Sequence, residues 1–138
     1  MRPLLEGQIR GAGLKHKVFL RGSVARPQDA LRDIDLLFFP SGGEGFGLVL
    51  IEAMASGVPV LAMKRGGVTD IVQHGVNGWL FELEDDFRVH LDFLFAALLD
   101  DPVGETQELI ANGLKTVRER FSWDVVLPQY RALLNIPD

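Results

Sequence analysis

The sequence alternates short apolar runs with segments of helical periodicity, and this alternation constrains the possible folds more than any other feature. The runs are rich in β-branched and aromatic residues, most are followed by Gly, Pro or Ser, and they cover residues 17–21, 35–39, 59–63 and 78–81. Helical periodicity separates them, at about residues 2–12, 27–34, 47–56 and 67–73. Because strands that alternate with helices form parallel sheets with right-handed crossovers, the sequence predicts an α/β fold with a parallel sheet of about four strands.

The last third of the chain is predicted to be helical. Apolar residues recur at helical spacing in residues 86–100, and a second helix is predicted over about 104–120. The apolar face of this second helix is formed by Ile110, Leu114, Val117 and Phe121. Ser122 is expected to cap a final helix, in which Pro128 bends the axis or belongs to the first turns. No repeat or linker interrupts these elements, so residues 1–138 are expected to form one domain.

Composition and charge exclude several classes of protein. The formal net charge of the 138 residues is -5 at pH 7, which argues against a general nucleic-acid binder. Cys is absent, which excludes disulfides, thiolate metal sites and cysteine nucleophiles. His16, His74 and His90 lack the spacing of metal ligands, so they are interpreted as surface or structural residues. The N-terminus lacks a signal-peptide pattern and no apolar run has membrane-spanning length, so we expect a cytoplasmic protein without a membrane span.

The segment 40–62 (PSGGEGFGLVLIEAMASGVPVLA) is the most informative part of the sequence. A predicted strand ends at Phe39, a glycine-rich loop follows, and a predicted helix begins near Gly47. Glycine allows sharp turns and a close approach of the backbone to a ligand. The first N–H groups of a helix, together with its partial positive charge, favour a phosphate group. Because open α/β sheets bind ligands at the carboxyl ends of their strands, this loop is a candidate phosphate-binding site.

Two carboxylates bracket the candidate phosphate site. Glu44 lies in the glycine-rich loop, and Glu52 lies in the predicted helix, between one and two turns after Gly47. Each carboxylate alone is consistent with a solvated surface residue. Together with the loop, they suit a ligand that carries hydroxyls at both ends and phosphate between them. A nucleotide sugar, with its sugar, diphosphate and ribose, is such a ligand.

Residues 40–62 resemble the E-x7-E segment of the group 1 retaining glycosyltransferases, which have two Rossmann-like domains in the GT-B arrangement. The resemblance continues in VFLRGSV (18–24), DIDLLFFPS (33–41), RGGVTDIVQHGVNGWLF (65–81) and RERFSW (118–123). It therefore covers nearly the whole chain. It implies a Rossmann-like three-layer domain, the C-terminal domain of such an enzyme, which binds the nucleotide-sugar donor.

The resemblance also implies a role for each matching residue. Glu44 would bind hydroxyls of the donor sugar and is the candidate catalytic residue, while Glu52 would bind the ribose hydroxyls. Ser23 and Val24 would border the base. The other expected donor-binding residues lie in the glycine-rich loop, at the start of the following helix and in a glycine pair: Gly43, Gly45, Phe46, Gly47, Leu48, Gly66 and Gly67. The resemblance implies no cofactor and no metal, and the donor is a UDP- or GDP-sugar used as substrate.

The sequence departs from the family pattern in three ways. Asp70 stands where Glu is usual, and Lys64 and Arg65 precede the glycine pair, either to help hold phosphate or as solvated charges. The family's domain also opens with a strand that carries Gly-Arg and is followed by Lys, a pair that clamps the diphosphate. No residue before Met1 supplies this clamp. We therefore expect a chain that is truncated at its N-terminal side, lacks the acceptor-binding domain and is inactive in isolation.

Three functions are open on the sequence alone. The first is the donor-binding domain of a glycosyltransferase that transfers a hexose, with retention, to an acceptor in glycan or glycolipid synthesis. The second is a non-catalytic nucleotide-sugar-binding or oligomerisation module, which the missing clamp and partner domain favour. The third is a nucleotide-sugar epimerase of similar architecture, although residues 22–47 fit the transferase pattern better.

The position of the predicted strand 17–21 determines whether we expect a partner chain. In the classic doubly wound order, two strands that this chain lacks would separate residues 17–21 from residues 35–39. Residues 35–39 would then form an exposed apolar edge, which proteins rarely tolerate. Either the two segments pair directly, or two chains join at this edge. We favour the second arrangement, a homodimer, because the faces of the sheet need more cover than one short chain provides.

Overall fold

A computed structural model describes residues 1–43, 45–82, 92, 96 and 104–135. In the first two of these ranges, a helix α1 (Arg2–Gly11) precedes a regular alternation of helices and strands: α2 (Pro27–Leu31), β1 (Leu37–Phe39), α3 (Leu48–Ala55), β2 (Val60–Met63), α4 (Val68–Ile71) and β3 (Trp79–Phe81). The C-terminal part contains α5 (Glu105–Thr116), a π-helical turn (Val117–Phe121) and α6 (Trp123–Leu134). The alternation of strands and helices confirms the predicted α/β class.

The described strands form one parallel sheet in the order β1–β2–β3. Leu37 of β1 is opposite Val60 of β2, and Leu61 of β2 is opposite Trp79 of β3, so all three strands run in one direction. The sheet therefore has three strands in the described residues, and the expected number of about four is corrected. The difference is the segment 17–21, which joins no ladder and lies outside any strand.

The central strand β2 divides the core into two clusters. Val60 and Ala62 point to one face, where they pack with residues of α3 and α4 such as Leu50 and Ile71. Alternate residues point to the other face, where the second cluster contains Leu61, Met63, Trp79, Phe81 and Leu109. Successive side chains of a strand point to opposite faces, so the fully buried β2 requires cover on both sides. The three-layer arrangement predicted for the domain follows from these two clusters.

Helix α5 packs on the core through a face offset from the predicted one. Thr106, Leu109 and Gly113 are buried, whereas Leu114 is exposed and Ile110 is half-buried. The reason is a close helix crossing, because a Cβ built on Gly113 would lie only 3.3 Å from Cγ of Met54 in α3. Val117 and Phe121 of the π-helical turn do pack against the first core cluster, as predicted.

The final helix begins after Ser122, at the predicted position. No side-chain hydrogen bond of Ser122 caps it, however, and Pro128 lies inside the helix. The predicted helix over residues 86–100 falls mostly outside the described residues, where residues 92 and 96 are helical. No helix in the described part of the chain is both long and apolar enough to cross a membrane.

No residue in 1–30 is buried, and Leu31 is the first residue of the chain that belongs to the core. Helix α1 has no buried residue; Arg2 forms a salt bridge with Glu6 in the same helix, and Arg2 Nη2 donates a hydrogen bond to the Leu20 carbonyl at 3.2 Å. β1 has one ladder neighbour in the described residues, β2, and its Phe38 stacks on Phe81 with ring centroids 5.4 Å apart. β1 is therefore an edge strand of the described sheet, as expected for residues 35–39.

Candidate functional site

The carboxyl ends of the three strands bring the predicted loops to one edge of the sheet. β1 leads into the glycine-rich loop, β2 leads into residues 64–67, and β3 leads into Glu82. The backbone N–H of Lys64 donates to the Phe81 carbonyl at 2.9 Å, and Lys64 Nζ lies 2.7 Å from Oε1 of Glu82. Both side chains of this salt bridge are about half exposed. Lys64 is thus held by Glu82 at the rim of the site.

Gly47 forms the junction between the loop and helix α3. Its φ of 82° and ψ of 49° lie in the left-handed region, and it occupies the N-cap position of α3. A Cβ there would also lie 3.1 Å from Cδ1 of Leu50, so both the backbone and the packing favour glycine. The helix then starts at Leu48, which is exposed. Because the first N–H groups of a helix have no acceptor within it, this end is suited to bind an anion.

The glycine pair packs directly on the glycine-rich loop. A Cβ built on Gly67 would lie 3.0 Å from Cα of Phe46 and 3.2 Å from the carbonyl carbon of Gly45, with the Gly45 oxygen closer still. A side chain at residue 67 would therefore force the two backbones apart. Gly66, with a φ of 51°, makes the preceding turn. The structure thus brings together two segments that the sequence predicted to line one donor pocket.

Two further contacts hold the glycine-rich loop and helix α4, and both come from the π-helical turn. The ring of Phe46 meets the ring of Phe121 edge to face, with centroids 5.9 Å apart and an interplanar angle of 79°. Nη2 of Arg120 donates a hydrogen bond to the Asp70 carbonyl at 2.8 Å. These contacts of Arg120 and Phe121 with the site were not predicted from the sequence, where RERFSW (118–123) indicated family resemblance and Phe121 an apolar helix face. Nothing local in the sequence pairs residue 46 with residue 121.

A buried asparagine, also missed, fixes the segment after α4. Nδ2 of Asn77 donates to the Ile71 carbonyl and to Oγ1 of Thr116, each at 3.0 Å, and Oδ1 accepts from the Gln73 N–H at 2.7 Å. These bonds join the end of α4, the helix that follows Gly66 and Gly67, to helix α5. The available signal was a polar residue inside the otherwise apolar and glycine-rich run GVNGWLF.

The remaining predicted site residues belong to helix α3, to the segment between α1 and α2, and to the glycine-rich loop. Glu52 lies on α3 and is half-buried, and its carboxylate makes no hydrogen bond or ion pair with the described residues. Ser23 and Val24 are exposed in the irregular segment between α1 and α2, and no described hydrogen bond joins them to the glycine-rich loop. Gly43 is exposed in the loop. Glu44 lies outside the described residues, so its predicted role stays a prediction.

Metal-ligating residues do not cluster near the site in the described part of the chain, where no group of three His, Asp or Glu side chains could hold an ion. Asp33 and Asp35 have the Asp-x-Asp spacing that some sites use to bind a metal. They precede β1, however, and so lie at the amino end of the sheet. The candidate site lies at the opposite, carboxyl edge.

Comparisons with known proteins identify relatives along most of the chain. The family model of the glycosyl transferases group 1 matches residues 2–115. An uncharacterised glycosyltransferase of Methanocaldococcus jannaschii, MJ1607, is 35% identical over 129 residues, which are 90% of this chain and 32% of that protein. The N-acetyl-alpha-D-glucosaminyl L-malate synthase of Bacillus anthracis is 30% identical over 125 residues, 91% of this chain and 32% of that protein.

A solved structure extends this similarity to the fold. Anabaena HepE in complex with UDP-glucose superimposes with a TM-score of 0.85 and 29% sequence identity, over 96% of this chain and 36% of that one. HepE is also known in complex with UDP and with UDP and glucose. The chain therefore spans about a third of the length of the curated relatives and of this structural neighbour.

Proposed function

This chain belongs to the group 1 glycosyltransferase family, and we propose that it is the donor-binding part of a retaining enzyme. The donor is a UDP- or GDP-sugar, and the enzyme transfers its hexose to an acceptor in glycan or glycolipid synthesis. The diphosphate binds at the carboxyl edge of the sheet, against the backbone of residues 45–47 and the glycine pair 66–67. An acceptor-binding domain supplies the opposite wall of the active site.

The single observation that carries this proposal is the packing of the two glycine-containing loops at the start of α3. Gly67 has no room for a side chain because the backbone of Gly45 and Phe46 lies against it. Gly47 takes a left-handed conformation that directs the chain into the helix. The result is an anion-binding helix terminus flanked by backbone with few side chains, which allows a diphosphate to approach closely.

The relatives support a nucleotide sugar as the ligand. HepE, which superimposes on 96% of this chain, holds UDP-glucose, UDP, or UDP and glucose in its structures. In our proposal Glu44 binds the sugar hydroxyls, Glu52 binds the ribose hydroxyls, and Ser23 and Val24 border the base. The protein groups at the loop then stabilise the charge that develops on the leaving diphosphate, which is the main electrostatic task in such a transfer.

Titration of the ¹⁵N-labelled chain with UDP and with GDP tests this site. We expect the amide signals of residues 22–24, 45–47, 52 and 66–67 to shift, with a dissociation constant on the order of 1 mM. Glu52→Gln should weaken UDP binding by about tenfold, because a charged acceptor for hydroxyls is lost. Glu108→Gln, on the exposed side of α5, is the matched control. Shifts confined to other regions, or equal effects of the two variants, contradict the proposal.

We further propose that the isolated chain transfers no sugar. Catalysis of this kind uses a closed, water-excluding site with preorganised charges, and a cleft with one wall remains open to water. Incubation with UDP-glucose and a panel of sugar and lipid acceptors, followed by mass spectrometry, is the measurement. Transfer to any acceptor above the rate of a chain carrying Glu52→Gln contradicts this part of the proposal.

The exposed edge of β1 favours a second candidate, a nucleotide-sugar-binding or oligomerisation module without transferase activity. β1 has one described ladder partner, and Phe38 on it is 38% exposed. A strand edge that has no ladder partner among the described residues can pair with another chain, so this candidate includes the homodimer. Light scattering over a range of concentrations measures the mass. A monomer at every concentration, together with transfer activity in a longer chain, contradicts this candidate.

A further inference from the structure

A π-helical turn interrupts the helical C-terminal region close to the candidate site. Residues Val117–Phe121 follow α5 directly, and such turns are frequently found at functional sites. The partly buried side chains of Val117 and Phe121 pack against the first core cluster, so the turn is fixed to the core. Its last two residues, Arg120 and Phe121, reach helix α4 and the glycine-rich loop.

Phe121 holds the glycine-rich loop through Phe46. Four of the six residues between positions 42 and 47 are glycines, which leave the loop with few side chains that could restrict its backbone. Phe46 is the one apolar side chain in this stretch, and its ring makes the edge-to-face contact with Phe121 described above. Edge-to-face pairs are a favoured aromatic geometry, so this contact restricts where the loop backbone lies.

Arg120 holds helix α4, which follows the glycine pair, through a backbone carbonyl. Its guanidinium donates to the Asp70 carbonyl at 2.8 Å, and its Cζ lies over the Phe121 ring at 5.0 Å from the centroid. The guanidinium therefore contacts both the α4 segment and the ring that contacts Phe46. One short turn thus contacts the glycine-rich loop and helix α4, which directly follows the glycine pair 66–67.

We propose that Arg120 and Phe121 are positioning residues that hold the loop 45–47 and, through helix α4, the glycine pair 66–67 in the arrangement that receives the donor diphosphate. The proposal rests on the proposed function. Backbone groups that are already in place lose less conformational freedom when a ligand binds, so removing the restraint weakens binding. Neither side chain needs to touch the ligand for this effect.

Five variants test the proposal in the full chain, with UDP as the probe. Phe121→Leu removes the ring and keeps an apolar side chain, and Arg120→Met removes the donor and keeps an apolar stem. Phe121→Tyr and Arg120→Lys are the conservative variants. Arg118→Met is the matched control, since Arg118 is exposed in the same turn and makes no hydrogen bond or ion pair with the described residues.

We expect Phe121→Leu and Arg120→Met to raise the dissociation constant for UDP by about fivefold, and the conservative variants and the control to stay within about twofold of the unsubstituted chain. The pattern of ¹⁵N shifts gives a second readout. The shifts that UDP causes at residues 45–47 and 66–68 should shrink, while the shift at residue 52 at matched saturation persists. Urea denaturation of each variant measures the free energy of unfolding separately.

The possible outcomes separate this inference from the proposed function. If the unsubstituted chain does not bind UDP, the proposed function fails and the inference fails with it. If it binds UDP and the Phe121→Leu and Arg120→Met variants bind equally well, the inference alone is overturned. It is also overturned if all UDP-induced shifts shrink together in proportion to lost stability, or if Arg118→Met has the same effect, because either result indicates a general structural role.

Discussion

The first 30 residues and the strand β2 each contain a strand-like apolar run, but only the run in β2 belongs to the sheet and the core. No residue in 1–30 is buried, although this part contains the strand-like run KVFLR, whereas every residue of β2 is buried. β2 has a ladder partner on each side and a core cluster on each face. The segment 17–21 has neither within the part of the chain that the structure describes. An apolar, β-branched run therefore becomes a strand only where neighbouring strands and covering side chains are available.

Charge reinforces the difference between the two regions. Residues 1–32 contain seven of the 14 Lys and Arg residues of the chain and two of its 19 Asp and Glu residues. Long charged side chains remain solvated unless they are paired, so this segment gains little from packing on the core. If β2 is the centre of the core and residues 1–30 lie outside it, substitutions in the two regions should differ sharply in their effect on stability and on ligand binding.

The largest effect is expected from Leu61→Ala in the middle of β2. Leu61 is fully buried and lies opposite Phe38 on one side and Trp79 on the other. Removing its side chain loses buried apolar contacts and leaves a cavity, which should lower the free energy of unfolding by about 2–5 kcal/mol. Urea denaturation followed by the fluorescence of the buried Trp79 measures this, in a Trp123→Phe background that removes the exposed tryptophan.

The outcome for Leu61→Ala decides whether β2 is the centre of the domain. A loss below about 1 kcal/mol would mean that the two clusters on either side of the strand are loosely packed, and the contrast with the N-terminal region would disappear. Leu114→Ala is the control within the same part of the fold, because Leu114 on α5 is 36% exposed. Its substitution should cost less than about 1 kcal/mol.

A smaller loss of stability, together with a loss of UDP binding, is expected from Gly67→Ala. The new methyl group would meet the backbone of Gly45 and Phe46, so the two loops must move apart. We expect the dissociation constant for UDP to rise at least about tenfold, while the chain remains folded with a loss of stability of about 1–3 kcal/mol. Titration by NMR measures the first quantity and urea denaturation the second.

Gly7→Ala in helix α1 is the matched glycine substitution in the N-terminal region. A Cβ at Gly7 meets no atom within 4 Å, and alanine favours the helix over glycine by about 1 kcal/mol. Because α1 has no buried residue, this local gain should leave both UDP binding and the global unfolding transition unchanged. An effect of Gly7→Ala as large as that of Gly67→Ala would show that the two regions are coupled after all.

Much of the fold and part of the site could be predicted from the sequence. Features that depend on residues close together in the chain were predicted, whereas contacts between residues far apart in the chain were not. Strands 59–63 and 78–81 were predicted within one residue of their observed starts, because their apolar runs are bounded by local turn residues. A helix that begins near Gly47 was predicted from the glycine-rich loop for the same reason, and α3 begins at Leu48.

Contacts between distant parts of the chain could not be predicted in this way. The edge-to-face pair of Phe46 and Phe121 and the bond from Arg120 to the Asp70 carbonyl depend on where α5 ends over the core. The error at residues 17–21 has the same origin, because local composition cannot state whether a partner strand lies alongside. The expected homodimer concerns a second chain and stays a prediction.

The smallest effect is expected from Phe19→Ala, and its dependence on concentration makes the comparison sharper. Phe19 is 64% exposed, and its described partner is the guanidinium of Arg21, 5.8 Å from the ring centroid. An exposed cation–π contact of this kind is worth about 0.5–1 kcal/mol and acts within a segment that does not join the core, so the free energy of unfolding should change by less than about 0.5 kcal/mol. Urea denaturation at low and high protein concentration is the measurement, with Lys17→Ala as a control for the exposed surface.

If two chains join over this segment, the Phe19 ring becomes buried in the dimer. The loss of stability from Phe19→Ala must then grow with protein concentration, because association stabilises the folded state by mass action. A loss that is small and independent of concentration would mean that residues 17–21 remain solvated, and the homodimer would then have to form through the edge of β1 or not form at all.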